Sequence, residues 1–149
     1  MTLVQNGALS IAVDPARDVR QTASRFSDLA PLACPAARTR GGLPPRALKR
    51  VREYVEAHLE HSIRIQILAE IVGLSVFHFA RAFKQSEGLT PHAYLIQRRV
   101  RRVQELLANT NLPLSEIAMA SGFSDQSHCT RRFRERTGIT PSNYRWSLR

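Results

Sequence analysis

Cys34 and Cys129 are the only two cysteines in the 149-residue sequence, and they stand far apart with no Cys-x-x-Cys spacing. Neither a disulfide framework nor a zinc site can therefore be read from them. Both thiols are expected to be reduced, and Cys129, inside a helical pattern, is expected to pack as a small buried hydrophobe. Long apolar runs are missing too, since no stretch approaches the roughly eighteen residues of a spanning helix. The opening MTLVQNGALSIAVDPARDVR lacks the basic start and continuous apolar block of a secretory signal, so a cytoplasmic location with no membrane association is expected. Catalytic equipment is equally scarce: there is no Gly-rich phosphate loop, no nucleophile beside a plausible base and no cluster of paired carboxylates. The chain is expected not to be an enzyme and to need no cofactor. His58 and His61 could share a metal by spacing, but with no further ligands nearby none is expected.

What the sequence does have is positive charge. Twenty-two Lys and Arg, most of them Arg, face 12 Asp and Glu, for a net charge of +10, and a 43% apolar content is enough to close a core. A polyanion is the default partner. The charge is unevenly placed, with +8 in residues 44–149 and +2 before them. Residues 1–43 carry Pro15, Pro31, Pro35 and the pair Gly41-Gly42 without a sustained apolar period, which predicts a weakly ordered arm. One short helix around residues 19–29, with Phe26 and Leu29 as its apolar residues, is expected within it.

From Pro44 onward the pattern is helical. Leu48, Val51, Tyr54, Val55 and Leu59 follow Pro45, which suits a first-turn position, and Tyr94, Leu95, Val100, Val103, Leu106 and Leu107 lie on one long helix that opens at Pro91. The long helix connects two copies of one phrase, VGLSVFHFARAFKQSEGLTPHAY at Val72 to Tyr94 and SGFSDQSHCTRRFRERTGITPSNY at Ser121 to Tyr144. Alignment pairs Ala69 with Ala118, Gly73 with Gly122, Ser75 with Ser124, Arg81 with Arg131, Phe83 with Phe133, Thr90-Pro91 with Thr140-Pro141 and Tyr94 with Tyr144. The offset grows by one residue, which points to an insertion early in the second copy's helix.

Each copy reads as helix, tight turn, helix. A short apolar segment ends at a glycine, and the chain restarts at a serine, Ser75 or Ser124, able to cap the next helix. The alanine four positions ahead of the glycine lets two helices cross closely while the glycine reverses the chain. If Phe79, Phe83, Cys129 and Phe133 face inward, the stripes left outward are Phe77, Ala80, Arg81 and Lys84, and Gln126, Ser127, His128 and Arg131. These are base-edge chemistries: Arg forks onto guanine, Gln pairs with adenine, Ser is permissive and Phe packs on a thymine methyl. From spacing alone Phe77 suits a core as well as a surface, and His128 suits phosphate or water as well as a base.

On these residues, residues 44–147 resemble the DNA-binding domain of the AraC/XylS family of bacterial transcription regulators. The stretch IAMASGFSDQSHCTRRFRERTGITPSNYR is close to the family signature throughout. The resemblance implies an all-α fold of about seven helices. Two helix-turn-helix subdomains, about 65–84 and 114–136, would be joined by a linker helix at about 91–109 and enter neighbouring major grooves of double-stranded DNA. It places base contacts at Phe77, Ala80, Arg81, Gln126, Ser127, His128 and Arg131. Phosphate contacts are expected from Ser75, Lys84, Ser124, Arg98, Arg102, Arg132 and Arg134. Arg98, Arg99, Arg101 and Arg102 otherwise read as a solvated basic face on the linker. RNA polymerase is a further partner consistent with such a regulator. A monomer is expected, because 43 arm residues cannot form the separate effector-binding, dimerising domain common in the family.

Two positions depart from the family pattern. Ala80 offers a methyl where a longer polar side chain is frequent, and Cys129 stands where a larger apolar residue is usual, which predicts underpacking worth about 1 to 3 kcal/mol unless neighbours fill in. Rival readings are a nonspecific architectural DNA coat, working through charge alone, and a protein-interaction module that kept the fold.

Overall fold

The computed structural model describes residues 41–149, so the expected arm, its helix at 19–29 and Cys34 lie outside the described residues. The described chain is all-α, with seven helices and no strand: α1 Pro45–Ala57, α2 Ile65–Ile71, α3 Val76–Glu87, α4 Pro91–Asn109, α5 Leu114–Ala120, α6 Gln126–Thr137 and α7 Pro141–Ser147. Among them no single helix is long and apolar enough to cross a membrane.

α1 begins with Pro45, whose missing N–H costs nothing in a first turn. It buries Val51, Tyr54 and Val55, the i, i+3, i+4 stripe of one helix face. Leu59, just past the helix end, is buried as well. Ahead of α1, Leu43 is buried and its N–H donates to Ser86 Oγ at 2.8 Å, tying the chain entry to α3. The His58 ring stacks on Tyr54 with centroids 4.1 Å apart, and its Nδ1–H donates to the Tyr54 carbonyl at 2.8 Å.

The two turns are built alike. After α2, Gly73 N–H donates to the Glu70 carbonyl and Leu74 N–H to Ala69, both at 3.0 Å; after α5, Gly122 N–H donates to Met119 and Phe123 N–H to Ala118, again at 3.0 Å. This is the Schellman closure, which needs a left-handed residue at the glycine. Gly73 and Gly122 supply it with φ of 70° and 80°. Ala69 and Ala118 are buried where the helices cross, and the axes of α2 and α3 differ by 82°.

α1, α2 and α3 pack in succession, and α3 rests on α4; α5, α6 and α7 then gather around the same α4. The linker helix is thus a shared wall rather than a bare rod. Its residues Ile96, Val100, Val103 and Leu107 join Ile117, Ala118, Phe123, Cys129 and Phe133 in the second core, with Leu106, Leu114 and Tyr144 packed against it.

Three expectations need correction. The second copy's extra residue lies in the turn, not within the helix: α2 and α5 start 49 residues apart, α3 and α6 start 50 apart. In consequence Ser124 does not cap α6, because the inserted residue pushes it one place out and Asp125 becomes the N-cap. Arg99 is no part of a solvated face; it is 9% exposed and donates through Nε to the Leu59 carbonyl at 3.2 Å and through Nη2 to the His61 carbonyl at 2.8 Å.

The small Cys129 is compensated nearby. In the first copy the turn residue Leu74 is 38% exposed while Phe79 fills the core; in the second the turn residue Phe123 is 2% exposed beside Cys129. One phenyl ring has changed places between helix and turn, so the expected underpacking is offset. Burial pushes the Cys129 thiol up to about 11, with the Asp125 charge adding to it, which keeps the group neutral and unreactive near pH 7.

Candidate nucleic-acid interface

α3 and α6 are the second helices of the two motifs, and each is fixed at both ends. At their N-termini Ser75 Oγ accepts from His78 N–H at 3.3 Å, and Asp125 Oδ1 accepts from His128 N–H at 2.7 Å. At their C-termini Gly88 and Gly138 adopt φ of 73° and 81° and close onto Lys84 and Arg134. The chain then restarts at Thr90 and Thr140, whose hydroxyls accept from Ala93 and Asn143 N–H at 3.2 and 3.3 Å. Even the aromatic clasp repeats: Phe83 meets Tyr94 edge-on with centroids 5.3 Å apart, and Phe133 meets Tyr144 at 5.5 Å.

Phe79, Phe83, Cys129 and Phe133 are all fully buried, which turns the opposite stripe of each helix outward. On α3 that stripe holds Phe77, 71% exposed, with Arg81 and Lys84 exposed and Ala80 half-buried. A core position for Phe77 is thereby ruled out. On α6 Gln126, Ser127 and Arg131 are exposed and His128 is half-buried. His128 Nδ1 lies 3.2 Å from Ser124 Oγ and its ring meets Phe123 edge-on, which leaves Nε2 as the nitrogen for an outside partner. Arg81 and Arg131 make no hydrogen bond or ion pair with the described residues. Two long cations with nothing to hold them on otherwise well-capped helices are free to take an external acceptor.

The residues expected at phosphate divide into two groups. Lys84 and Arg134 are exposed, and no carboxylate pairs with either among the described residues. Arg98 donates to Glu56 at 2.5 Å, Arg102 lies 3.7 Å from Glu105, and Arg132 donates to Glu135 at 2.9 Å. Ser75 Oγ is engaged by the His78 amide, while Ser124 Oγ donates to Asp125 Oδ2 at 3.0 Å.

The Asp125 cap carries a pH prediction. The His128 backbone N–H, and after it the Ser124 hydroxyl, hold its carboxyl below the ordinary carboxylate value. The cap therefore contributes its stability above the unfolded carboxylate range, about pH 4, and loses it as pH falls through the lower folded value. Asp125→Asn keeps a capping oxygen without the charge. It is expected to melt below wild type at about pH 7, with the deficit shrinking as the pH is taken below the carboxylate range to about pH 2. Thermal unfolding at both values checks this, and an equal deficit at both contradicts it.

Comparison with known proteins bears on what such a surface is for. The helix-turn-helix domain family matches residues 68–147. A transcriptional regulator with an AraC-type DNA-binding domain from Chromobacterium violaceum superposes with a TM-score of 0.65 at 30% identity, over 69% of this chain and 92% of that one. The chain belongs to the AraC family. The DNA-binding domain of the global transcriptional factor AdpA, in complex with a target DNA, superposes with a TM-score of 0.66 at 29% identity, over 69% of this chain and 93% of the other. In sequence, the probable transcriptional regulator LumQ of Photobacterium leiognathi is 33% identical over 99 residues, 66% of this chain. The match spans only about 40% of LumQ's length. The two helix-turn-helix units form an AraC-type DNA-binding domain.

Proposed function

We propose that this AraC-type domain binds double-stranded DNA sequence-specifically, with α3 and α6 entering two successive major-groove segments of one duplex. The observation that carries the reading is the duplicated stripe: each capped helix buries its aromatic face and turns an unpaired arginine, Arg81 or Arg131, outward. Phe77, Ala80 and Arg81 read bases in one segment, and Gln126, Ser127, His128 and Arg131 read them in the other. Lys84 and Arg134 fix the register on phosphate, assisted by the N-terminus of α3 at Ser75. Arg98, Arg102 and Arg132 approach phosphate only by releasing their carboxylate partners. A regulator of this kind acts on RNA polymerase as its second partner, works in the cytoplasm and, through this domain alone, binds as a monomer.

The test is selection of bound sequences from a random duplex pool, followed by salt titration on the winner and on scrambled DNA. A bipartite motif with half-sites about one helical turn apart is expected. No enriched motif, with equal affinity for both duplexes, would establish a nonspecific coat; no binding at low salt would establish a protein-interaction module. On the selected site Arg131→Ala is expected to lose about 1 to 3 kcal/mol at one base position and to relax the preference there. An equal loss on every sequence would reassign Arg131 to phosphate.

A further inference from the structure

The two turn glycines share a backbone conformation but not an environment. A β-carbon built on Gly73 meets nothing within 4 Å, and the same is true of Gly88 and Gly138. On Gly122 it would sit 1.9 Å from the Leu59 carbonyl oxygen and 2.8 Å from Arg99 Nε. Leu59 lies just past the end of the first subdomain's opening helix, Arg99 stands midway along α4, and Gly122 is the turn of the second motif. These three residues make one contact that joins both halves of the molecule.

Arg99 is the centre of that contact. Its guanidinium is buried and bridges two carbonyls, Leu59 and His61, where the chain leaves α1 and the backbone would otherwise lack partners. The planar fork fills both acceptors and lies close against the Gly122 backbone. A turn with any side chain at 122 could not approach so closely, so α5 and α6 would tilt away from α1.

We propose that Arg99 and Gly122 form a positioning joint that sets the separation and angle of α3 and α6, and so decides which half-site spacing the domain accepts. The inference rests on the two-groove reading above and adds to it the residues that select spacing. Two linked recognition helices gain affinity only when the linkage matches the span of their sites. A stiff joint concentrates that gain at one spacing, whereas a loosened joint spreads it over several.

The experiment uses the full chain and the selected bipartite site, with base pairs inserted or removed between the half-sites, about one to four at a time. Wild type is expected to favour one spacing by about a hundredfold over a displacement of two base pairs, and Gly122→Ala to reduce that ratio to about tenfold or less. Isolated half-sites are expected to bind both proteins equally. Gly73→Ala imposes the same backbone strain with no neighbour to displace, and is expected to keep the wild-type spacing curve. If Gly122→Ala fails to fold, Arg99→Lys, which keeps the charge but replaces the planar fork with a single compact ammonium, tests the joint from the other side. Spin labels at Lys84→Cys and Arg134→Cys in a Cys34→Ser background then read the α3 to α6 distance directly, with a broadened distribution expected. A variant that keeps the wild-type spacing ratio and distance distribution, or loses affinity in parallel on every spacing and half-site, overturns the joint. A wild-type protein with no spacing preference overturns the two-groove reading itself.

Discussion

Replacing Phe133 by alanine is expected to remove about 3 to 5 kcal/mol of folding stability, whereas replacing Phe77 is expected to change it by no more than about 0.5 kcal/mol. Phe133 is fully buried, sits in the core shared by α4, α5 and α6, and closes edge-on against Tyr144. Its removal opens a cavity that a close-packed set of helices cannot collapse into. Phe77 is 71% exposed and has only an edge contact with the neighbouring His78 ring. The binding results are expected to run the other way: at temperatures where both variants are folded, Phe133→Ala keeps its sequence preference, while Phe77→Ala loses discrimination for thymine at one base position. Chemical denaturation and binding to the selected duplex separate the two effects. A destabilised Phe77→Ala with intact discrimination would show that the ring serves the fold, and the first stripe would have to be redrawn around Arg81.

The repeat was the readable part of this chain because a helix-turn-helix spends its few special residues at fixed places. Ala69 and Ala118 must be small, Gly73 and Gly122 must be left-handed, and Phe83 and Phe133 must fill the angle between helices. All of these survive in both copies and announce themselves by alignment. Periodicity then located the buried stripe of α4, although Ile96 was passed over. Local chemistry read less well. Ser124 aligns with Ser75 by type, but the inserted residue lies in the turn and hands the cap to Asp125, so residue identity misled where geometry decided. Arg99 was hidden for a different reason. It stands among three other arginines that read as a solvated face, yet it is four residues from both Leu95 and Val103 and hence on their buried side. That spacing was available; what the sequence could not supply were the Leu59 and His61 carbonyls, whose position depends on how α1 ends against the second motif. The move of a phenyl ring from the helix in the first copy (Phe79) to the turn in the second (Phe123) is likewise a tertiary fact, because Phe123 and Cys129, six positions apart, share one volume only once the turn is folded.

Salt dependence is expected to show the largest effect of all and to reveal which arginines face the duplex. A protein that neutralises roughly six to ten phosphates loses about a thousandfold to a hundred-thousandfold in affinity between about 50 and 200 mM salt, with a log–log slope of about −0.9 per contact. Lys84 and Arg134 bring charge to the duplex without abandoning a carboxylate. Lys84→Ala with Arg134→Ala is therefore expected to make the slope shallower by about 1.8. Arg98 and Arg102 differ, because Glu56 and Glu105 already hold them. Exposed pairs of this kind are worth little and break readily. Breaking one beside DNA, however, leaves a bare carboxylate facing the phosphates, so the counterions released by the arginine are largely offset. Arg98→Ala with Arg102→Ala is accordingly expected to change the slope by less than about 0.9. Equal changes for the two double variants would mean that the duplex runs along α4 and draws its glutamates aside, and the recognition helices would then meet the grooves from the linker side.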